Sequence, residues 1–410
     1  MRLRPRLLEG ALRRALREFP AVVVVGLRQC GKTTLVRRVD RARRYVTLDD
    51  LSALAAAHED PQGFIRGLPA PVTIDEIQKA PELLAVIKQE IDRVRRPGRF
   101  LLTGSAQIEG RRAVRETLAG RAALLRLRPM TWGEADGRAA ENPARKLAGC
   151  RSVRDVVARF GRGPALDPAR ILAGGLPEPM LGRSGAARRR WFAEYRRTYV
   201  ERDVPSLLRL EEVPAFVRFI SLAASRTAQT TNFAALSHDA GVSADTGLRW
   251  FGVLELSFLV DPLPPYFRNI GKRLVKSPKL HFGDTGLAAS LAGVDAWSEA
   301  RRHRLDGALL ETLVAQHLLA YAQASGAGLR VYHYRTHAGG EVDLVLEHGA
   351  RLVPIEVKLT ATPRPSDARG LASFIRDHDA PFGIVLHAGE DSFPLSRTVA
   401  GMPLTRFLGA

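Results

Sequence analysis

Cysteine is scarce: Cys30 and Cys150 are the only two in 410 residues, which excludes a disulfide framework and fits a reducing cytoplasm. Long apolar runs are lacking as well. None approaches the roughly 20 residues that cross a bilayer, so a membrane protein is not expected. There is no CxxC pair, no Ser-His-Asp order, no internal repeat and no coiled-coil heptad. His333, His337 and His348 match no recognised zinc spacing and read as surface or packing residues. Acidic residues are outnumbered, 43 against 62 basic, for a formal net charge of +19. That balance favours polyanionic partners, DNA or RNA among them, because nucleic acid is bound largely through phosphate neutralisation. Arginine exceeds lysine, and alanine and glycine abound, so codon bias is a second source of the charge.

What is present is ordinary for a globular chain: 45% apolar and 26% charged residues, at a length that accommodates two or three cores. The N-terminal MRLRPRLLEGALRRALREF repeats Leu8, Leu12 and Leu16 every four residues, which predicts an amphipathic helix. A transit peptide is the rival reading, and Glu9 and Glu18 count against it.

Gly26 to Thr33 reads GLRQCGKT, a full match to G-x-x-x-x-G-K-[ST], directly after the apolar run Val22 to Val25 and before a helix-compatible stretch. Strand, glycine loop and helix in this order make a phosphate cradle at a helix N-terminus. Gly26, Arg28, Gln29, Cys30, Gly31, Lys32, Thr33 and Thr34 are the expected nucleotide contacts. Lys32 would reach the β and γ phosphates and the Thr33 hydroxyl would hold Mg²⁺. Cys30 is either a redox brake on this loop or a small residue tolerated at a variable position.

RRYVTLDD predicts a second strand. PVTIDEIQKAPELL then predicts a short strand ended by Asp75 and Glu76. Ligands bind at the C-terminal ends of strands in a doubly wound sheet, so Asp75 is the candidate Mg²⁺ partner and Glu76 the candidate polariser of the attacking water. The alternative has both acids capping the helix that follows. RFLLTGS ends a further strand in Thr103, Gly104 and Ser105, polar groups able to sense a γ-phosphate or to orient water. Arg121, before another apolar strand, is either an arginine finger or a surface residue.

The order GLRQCGKTTL, TIDEIQKAPELL, LLTGSAQ, LAGR and LRPMTWGE, continued by TYVERDVPSLLRL, KRLVKSPKLHFGDTGLAASLAG and GGEVDLVLEHGARLVPIEVK, resembles the bacterial and archaeal AAA-family ATP-binding proteins with a C-terminal domain of unknown function. The resemblance covers nearly the whole chain. It implies an ATP-binding domain in which Lys32, Thr33, Asp75, Glu76 and Ser105 take the roles given above. Leu27 stands where the family often has proline, and no second sensor arginine is evident.

Residues 138–179 are rich in Gly, Pro and Arg with weak periodicity and suit a boundary; helical patterning resumes at Ala187. TNFAALSHDAGVSADTGLRWFGVLELSFLVDPLPPY predicts two helices about Gly241, with Ser243 as a cap, then a strand. This is the pattern of a winged helix-turn-helix, whose second helix would present Arg249 to a major groove. Its apolar line Leu248, Phe251, Leu254 and Leu256 suits a packing module instead.

GALLETLVAQHLLAYA predicts an amphipathic helix with Leu310, Leu313, Val314 and Leu318 on its stripe and Glu311 beside it. EVDLVLEHGARLVPIEVKL predicts a hairpin around His348 and Gly349. Alternation puts Glu356 and Lys358 on one face and Val357 in the core, with Asp343 on the facing strand. Glu311, Asp343 and Glu356 could hold Mg²⁺ or Mn²⁺, and Lys358 could orient water for phosphodiester cleavage. Together they resemble the helix, strand and strand signature of restriction-endonuclease-like, PD-(D/E)xK, nucleases. A surface ion pair with an incidental glutamate is the other reading.

The expected fold class is α/β: an AAA-type P-loop NTPase with a parallel sheet at residues 1–137, a helical connector at 138–200, a winged helix-turn-helix-like region at 201–275 and a restriction-endonuclease-like domain at 276–410. The expected function is ATP binding and hydrolysis that controls nucleic-acid engagement, extended by metal-dependent cleavage. The rivals are a nucleotide-switched scaffold with an inactive nuclease-like domain, and a DNA-binding regulator without ATP turnover. A homo-oligomer follows if Arg121 serves a neighbouring copy.

Overall fold

The computed structural model describes residues 3–104, 117–139, 142–204, 212–269, 271, 273, 276–326, 328–336 and 339–409. Their contacts separate two units, Leu8–Pro129 with Leu256–Leu259, and Met1–Leu7 with Met130–Glu255 and Val260–Ala410. Among the described residues no helix is long and apolar enough to cross a membrane.

In the first unit, helix α1 (Leu8–Glu18) is amphipathic as expected, but it buries Leu8, Ala11, Leu12 and Ala15 and leaves Leu16 half-buried. Strand β1 (Ala21–Val25) is AVVVV and buried at every position, the signature of a parallel strand covered on both faces. Each valine so enclosed is worth about 1.5–3 kcal/mol. Helix α2 (Lys32–Val39) follows the glycine loop, then come β2 (Arg44–Thr47), α3 (Leu51–Glu59), α4 (Pro61–Gly67), β3 (Val72–Asp75), α5 (Leu83–Arg93), β4 (Phe100–Gly104) and β5 (Ala122–Arg126). All strand pairs are parallel, in the order β2-β3-β4-β1-β5. Strand β4 therefore lies between β1 and β3, and the ends of all three point the same way. The edge strands β2 and β5 are only partly covered, which explains their mixed polarity.

In the second unit the stretch expected to be a boundary contains Pro143–Ala148, Val153–Phe160, Pro168–Ala173 and Pro177–Leu181, all helical. Each is too short for a periodic apolar signal. Their starts are written instead in Pro143, Pro168 and Pro177 at the first turn and in the side-chain caps Asn142, Ser152 and Asp167. Helices Phe233–Ala240 and Ala244–Leu256 flank Gly241, and Ser243 accepts from the Thr246 amide, as expected. Their apolar register differs from expectation. Gly247, Trp250, Phe251 and Leu254 face inward at helical spacing, whereas Leu248 is 55% and Leu256 43% exposed. Strands β6 (Gln229–Thr230), β7 (Val260–Leu263) and β8 (Lys279–Phe282) form an antiparallel sheet in the order β6-β8-β7.

Helix Asp306–Ala324 is not amphipathic in place: Leu309 to Leu318 are buried all round, polar residues included. It packs against a mixed sheet of β9 (Leu329–Arg335), β10 (Glu341–His348), β11 (Arg351–Lys358), β12 (Gly383–His387), β13 (Phe393–Pro394) and β14 (Val399–Pro403). The order is β13-β14-β12-β11-β10-β9, with the expected hairpin turning between His348 and Arg351. Leu371 and Phe374 of helix Arg369–His378 close the core with Val342, Val345 and Val385. Buried Asp284 accepts from the Gly175, Leu176 and Leu287 amides, tying a connector turn to the start of helix Thr285–Leu291.

Candidate functional site

Backbone conformation makes the phosphate loop. Gly26 has φ +155°, and a Cβ there would meet the Leu127 carbonyl oxygen at 2.2 Å; Gly31 has φ +98°. Gly26 has no room for a side chain and Gly31 holds a backbone conformation that favours glycine, so the chain can turn tightly from β1 into α2. Gly31 offers α2 no side-chain cap, which leaves the N–H groups of its first turn for an anion. Cys30 is buried and its Sγ donates to the Leu127 carbonyl at 3.4 Å, while Arg28, Gln29 and Thr34 face solvent. The Lys32 ammonium donates to the loop's own Gly26 and Leu27 carbonyls at 3.0 and 3.1 Å.

Asp75 stands at the end of β3, 2% exposed, and gathers three hydroxyls. Thr33 donates to Oδ2 at 2.8 Å, Tyr45 donates to the same oxygen at 2.6 Å, and Thr103 donates to Oδ1. Burial, and then the Asp75 carboxylate, push the Tyr45 phenol well above its ordinary range, so it stays a donor. Arg37 lies 4.5 Å from the centre of the Tyr45 ring. Glu76 follows with φ +60°, a conformation that costs a non-glycine residue about 1–3 kcal/mol and that clusters at functional sites. Its backbone amide donates to Thr103 Oγ1 at 3.2 Å and the Gln78 side-chain Nε2 donates to its carboxylate. Neither acid caps a helix: α5 has Glu82 at its N-cap position, and the Glu76 side chain makes no cap bond. The fit to a nucleotide and Mg²⁺ is therefore one of chemistry: a tight cradle, a cation, and a hydroxyl and carboxylate already side by side.

Tyr45 was not singled out by sequence reasoning. The available signal was its position one strand over, since Tyr45 pairs with Thr73 two residues before Asp75. Ser105 lies outside the described residues. Arg121 lies at the opposite end of the sheet from the loop of its own chain, because it precedes β5 and β5 runs parallel to β1. Five residues of strand, roughly 17 Å, intervene. Its guanidinium grips Asp92 of α5 at 2.6 and 2.9 Å.

In the second unit, Glu356 and Lys358 do share a face, with the ammonium 2.7 Å from Glu356 Oε1. Asp343 is near, accepting from the Val357 amide at 2.8 Å. Val357 itself is half-buried. Burial, reinforced by Asp343, lifts the Glu356 carboxyl to about 7. Glu311 approaches from the helix, but the group it meets is Lys279 of β8, which the sequence had not suggested. The Lys279 ammonium lies 2.7 Å from Glu311 Oε1, 3.1 Å from Glu341 Oε1 and 3.6 Å from Asp343 Oδ1. Burial opposes its charge, yet the three carboxylates outweigh burial and hold it protonated. Burial and Asp343 push the Glu311 carboxyl up, and its ion pair with Lys279 opposes them. His281, 3.7 Å from Glu311, is pushed down to about 3 by burial and by Lys279 and is neutral. Among the described residues no group of three or more His, Cys, Asp or Glu is arranged to hold a metal ion. His333 is buried and His348 exposed, while His337 lies outside the described residues.

Residues 18–135 match an AAA domain, residues 168–298 a domain of unknown function (DUF8612) and residues 306–407 a domain of unknown function (DUF4143). Uncharacterized proteins of Mycobacterium tuberculosis and Mycobacterium bovis are each 33% identical over 398 residues, covering 97% of this chain and 83% of the relative. The chain belongs to the family of these two proteins. Among solved structures, a Walker-type ATPase of Pyrococcus abyssi is 14% identical, with 71% of this chain and 99% of that one covered at a TM-score of 0.41. Cdc6p from Pyrobaculum aerophilum is also 14% identical, with 76% and 93% covered at 0.22. By its AAA domain match over residues 18–135 and its parallel sheet, the N-terminal unit is a P-loop, AAA-type ATPase fold.

Proposed function

We propose that this chain is an ATP-binding and ATP-hydrolysing switch whose nucleotide state governs engagement of a nucleic acid. The observation that carries the proposal is the bond from Thr33 to Asp75 beside the Lys32 loop. In this reading Lys32 exchanges the Gly26 and Leu27 carbonyls for the β and γ phosphates, and the first-turn amides of α2 bind the remaining phosphate oxygens. Thr33 and Asp75 would hold Mg²⁺, which supplies neutralisation of charge on the transferred phosphoryl. Glu76 orients and polarises the attacking water, held in position by Thr103 and Gln78. Ser105 contributes a polar contact to the γ-phosphate. Arg121, remote from the loop of its own chain, acts only on a second copy, so the reading includes a homo-oligomer.

Nucleic acid is the partner favoured by the net charge of +19 and by Arg249, exposed on the second helix of a helix-turn-helix that a strand pair follows, as in a winged helix. The functional division follows residues 1–137, 138–200, 201–275 and 276–410. The C-terminal segment has two competing readings, a restriction-endonuclease-like domain that cleaves with Mg²⁺ or Mn²⁺ and one that only binds. Lys279 among Glu311, Glu341 and Asp343 favours the second. Two cysteines, both buried thiols, suit a cytoplasmic location. ATP hydrolysis measured with and without DNA or RNA tests the switch: stimulation or suppression by one of them supports it, and turnover indifferent to both overturns the coupling.

A further inference from the structure

Lys279 opens β8 and is hydrogen-bonded into the sheet on both sides, opposite Leu263 of β7 and Thr230 of β6. Its backbone is thereby fixed, and its side chain, 3% exposed, has one direction to go. It ends among carboxylates delivered by separate elements: Glu311 from the helix Asp306–Ala324, and Glu341 and Asp343 from β10. An ammonium has three protons to donate, and three carboxylates surround this one. The spacing is that of an ammonium cage. Oxygens at 2.7, 3.1 and 3.6 Å are at hydrogen-bond and ion-pair distances, beyond the roughly 2.0–2.6 Å of Mg²⁺ or Ca²⁺ coordination.

Burying carboxylates without a counter-charge is strongly unfavourable, and the charge that accompanies them here is the Lys279 ammonium. We infer that Lys279 is the resident cation of the C-terminal carboxylate cluster, occupying the place a divalent metal would need and excluding it. The inference rests on reading Glu311, Asp343 and Glu356 as one constellation, and is independent of ATP turnover. A second cation, Lys358, neutralises Glu356, so the two lysines together keep the cluster closed to an incoming ion. Removing the Lys279 ammonium leaves Glu311, Glu341 and Asp343 facing one vacated point. The Glu341 side chain is 42% exposed, so solvent reaches this side of the cage.

The test is a Mn²⁺ titration of the nucleotide-free full chain, read by electron paramagnetic resonance and by thermal shift. The phosphate loop lacks its nucleotide in this experiment, so failure of the ATPase reading leaves the result interpretable. Wild type and Lys279→Arg should show no Mn²⁺ binding that depends on Asp343. Lys279→Met should gain about one Mn²⁺ per chain at least roughly tenfold more tightly than wild type, with a Mn²⁺-dependent rise in melting temperature that Asp343→Asn abolishes. Wild-type binding of Mn²⁺ that disappears in Asp343→Asn would overturn the inference, and needs no Lys279 variant to fold. A folded Lys279→Met protein without Mn²⁺ affinity would overturn it as well.

Discussion

The Thr33 hydroxyl donates to Asp75 Oδ2 at 2.8 Å, joining the first turn after the phosphate loop to the end of a strand two places away in the sheet. The contact exists because β3 and β1 run parallel with β4 between them, so their C-terminal ends form one rim. Thr103 at the end of β4 completes it. Residues 42 apart in sequence thus act on one point.

Lys32→Ala removes the cation that would meet the phosphates. ATP affinity should fall roughly a hundredfold or more, about 2.7 kcal/mol, in a fluorescence titration with a nucleotide analogue. Circular dichroism should be unchanged. Wild-type affinity in the folded variant would remove the loop from nucleotide binding.

Glu76→Gln keeps shape and loses the base. ATP should still bind, with turnover slowed at least roughly a hundredfold in a phosphate-release assay. Equal losses of binding and turnover would instead give Glu76 a structural role, consistent with its left-handed backbone alone.

Arg121 and its own loop lie at opposite ends of the sheet, so a catalytic role requires another chain. Turnover per chain should then rise with protein concentration in wild type and stay flat in Arg121→Ala. Mixing Arg121→Ala with Glu76→Gln should restore some of the activity, since a hybrid interface contains one intact Glu76 and one intact Arg121. Turnover independent of concentration would reduce Arg121 to its ion pair with Asp92.

His317 gives the stability a pH dependence with a definite sign. Its Nδ1 donates to the Leu313 carbonyl at 2.9 Å and its Nε2 accepts from the Trp132 amide at 2.9 Å, so the ring is neutral. Burial, opposed by the bond to Leu313, pushes its pKa from 6.5 down to about 3. The unfolded chain gains a proton below 6.5 that the folded chain does not, so this contribution is intact above 6.5 and is lost as pH falls from there towards 3. The slope is about 1.4 kcal/mol per pH unit. Denaturant unfolding at about pH 7.5 and about pH 5 should show a smaller acid loss in His317→Gln than in wild type. Identical losses would place the proton elsewhere.

By itself the sequence determined the local units. GLRQCGKT after a β-branched run specified strand, loop and helix, because glycine dihedrals and apolar patterning are properties of adjacent residues. Asp75 and Glu76 at a strand end, the hairpin about Gly349, and the pairing of Glu356 with Lys358 were legible for the same reason. The short helices between residues 143 and 181 left no periodic signal because each is shorter than the window in which a period shows. Tertiary structure alone decided what these units meet. Placing β4 between β1 and β3 brought Thr103 to Asp75, and pairing β2 with β3 brought Tyr45. It also enclosed Leu309 to Leu318 of the helix Asp306–Ala324 on all sides and set Lys279 against Glu311, distant in sequence. Local periodicity carries no information on which buried charge will neutralise which, since that depends on how β8, β10 and the helix are packed. The carboxylates were written in the sequence, and their counter-ion was chosen by the fold.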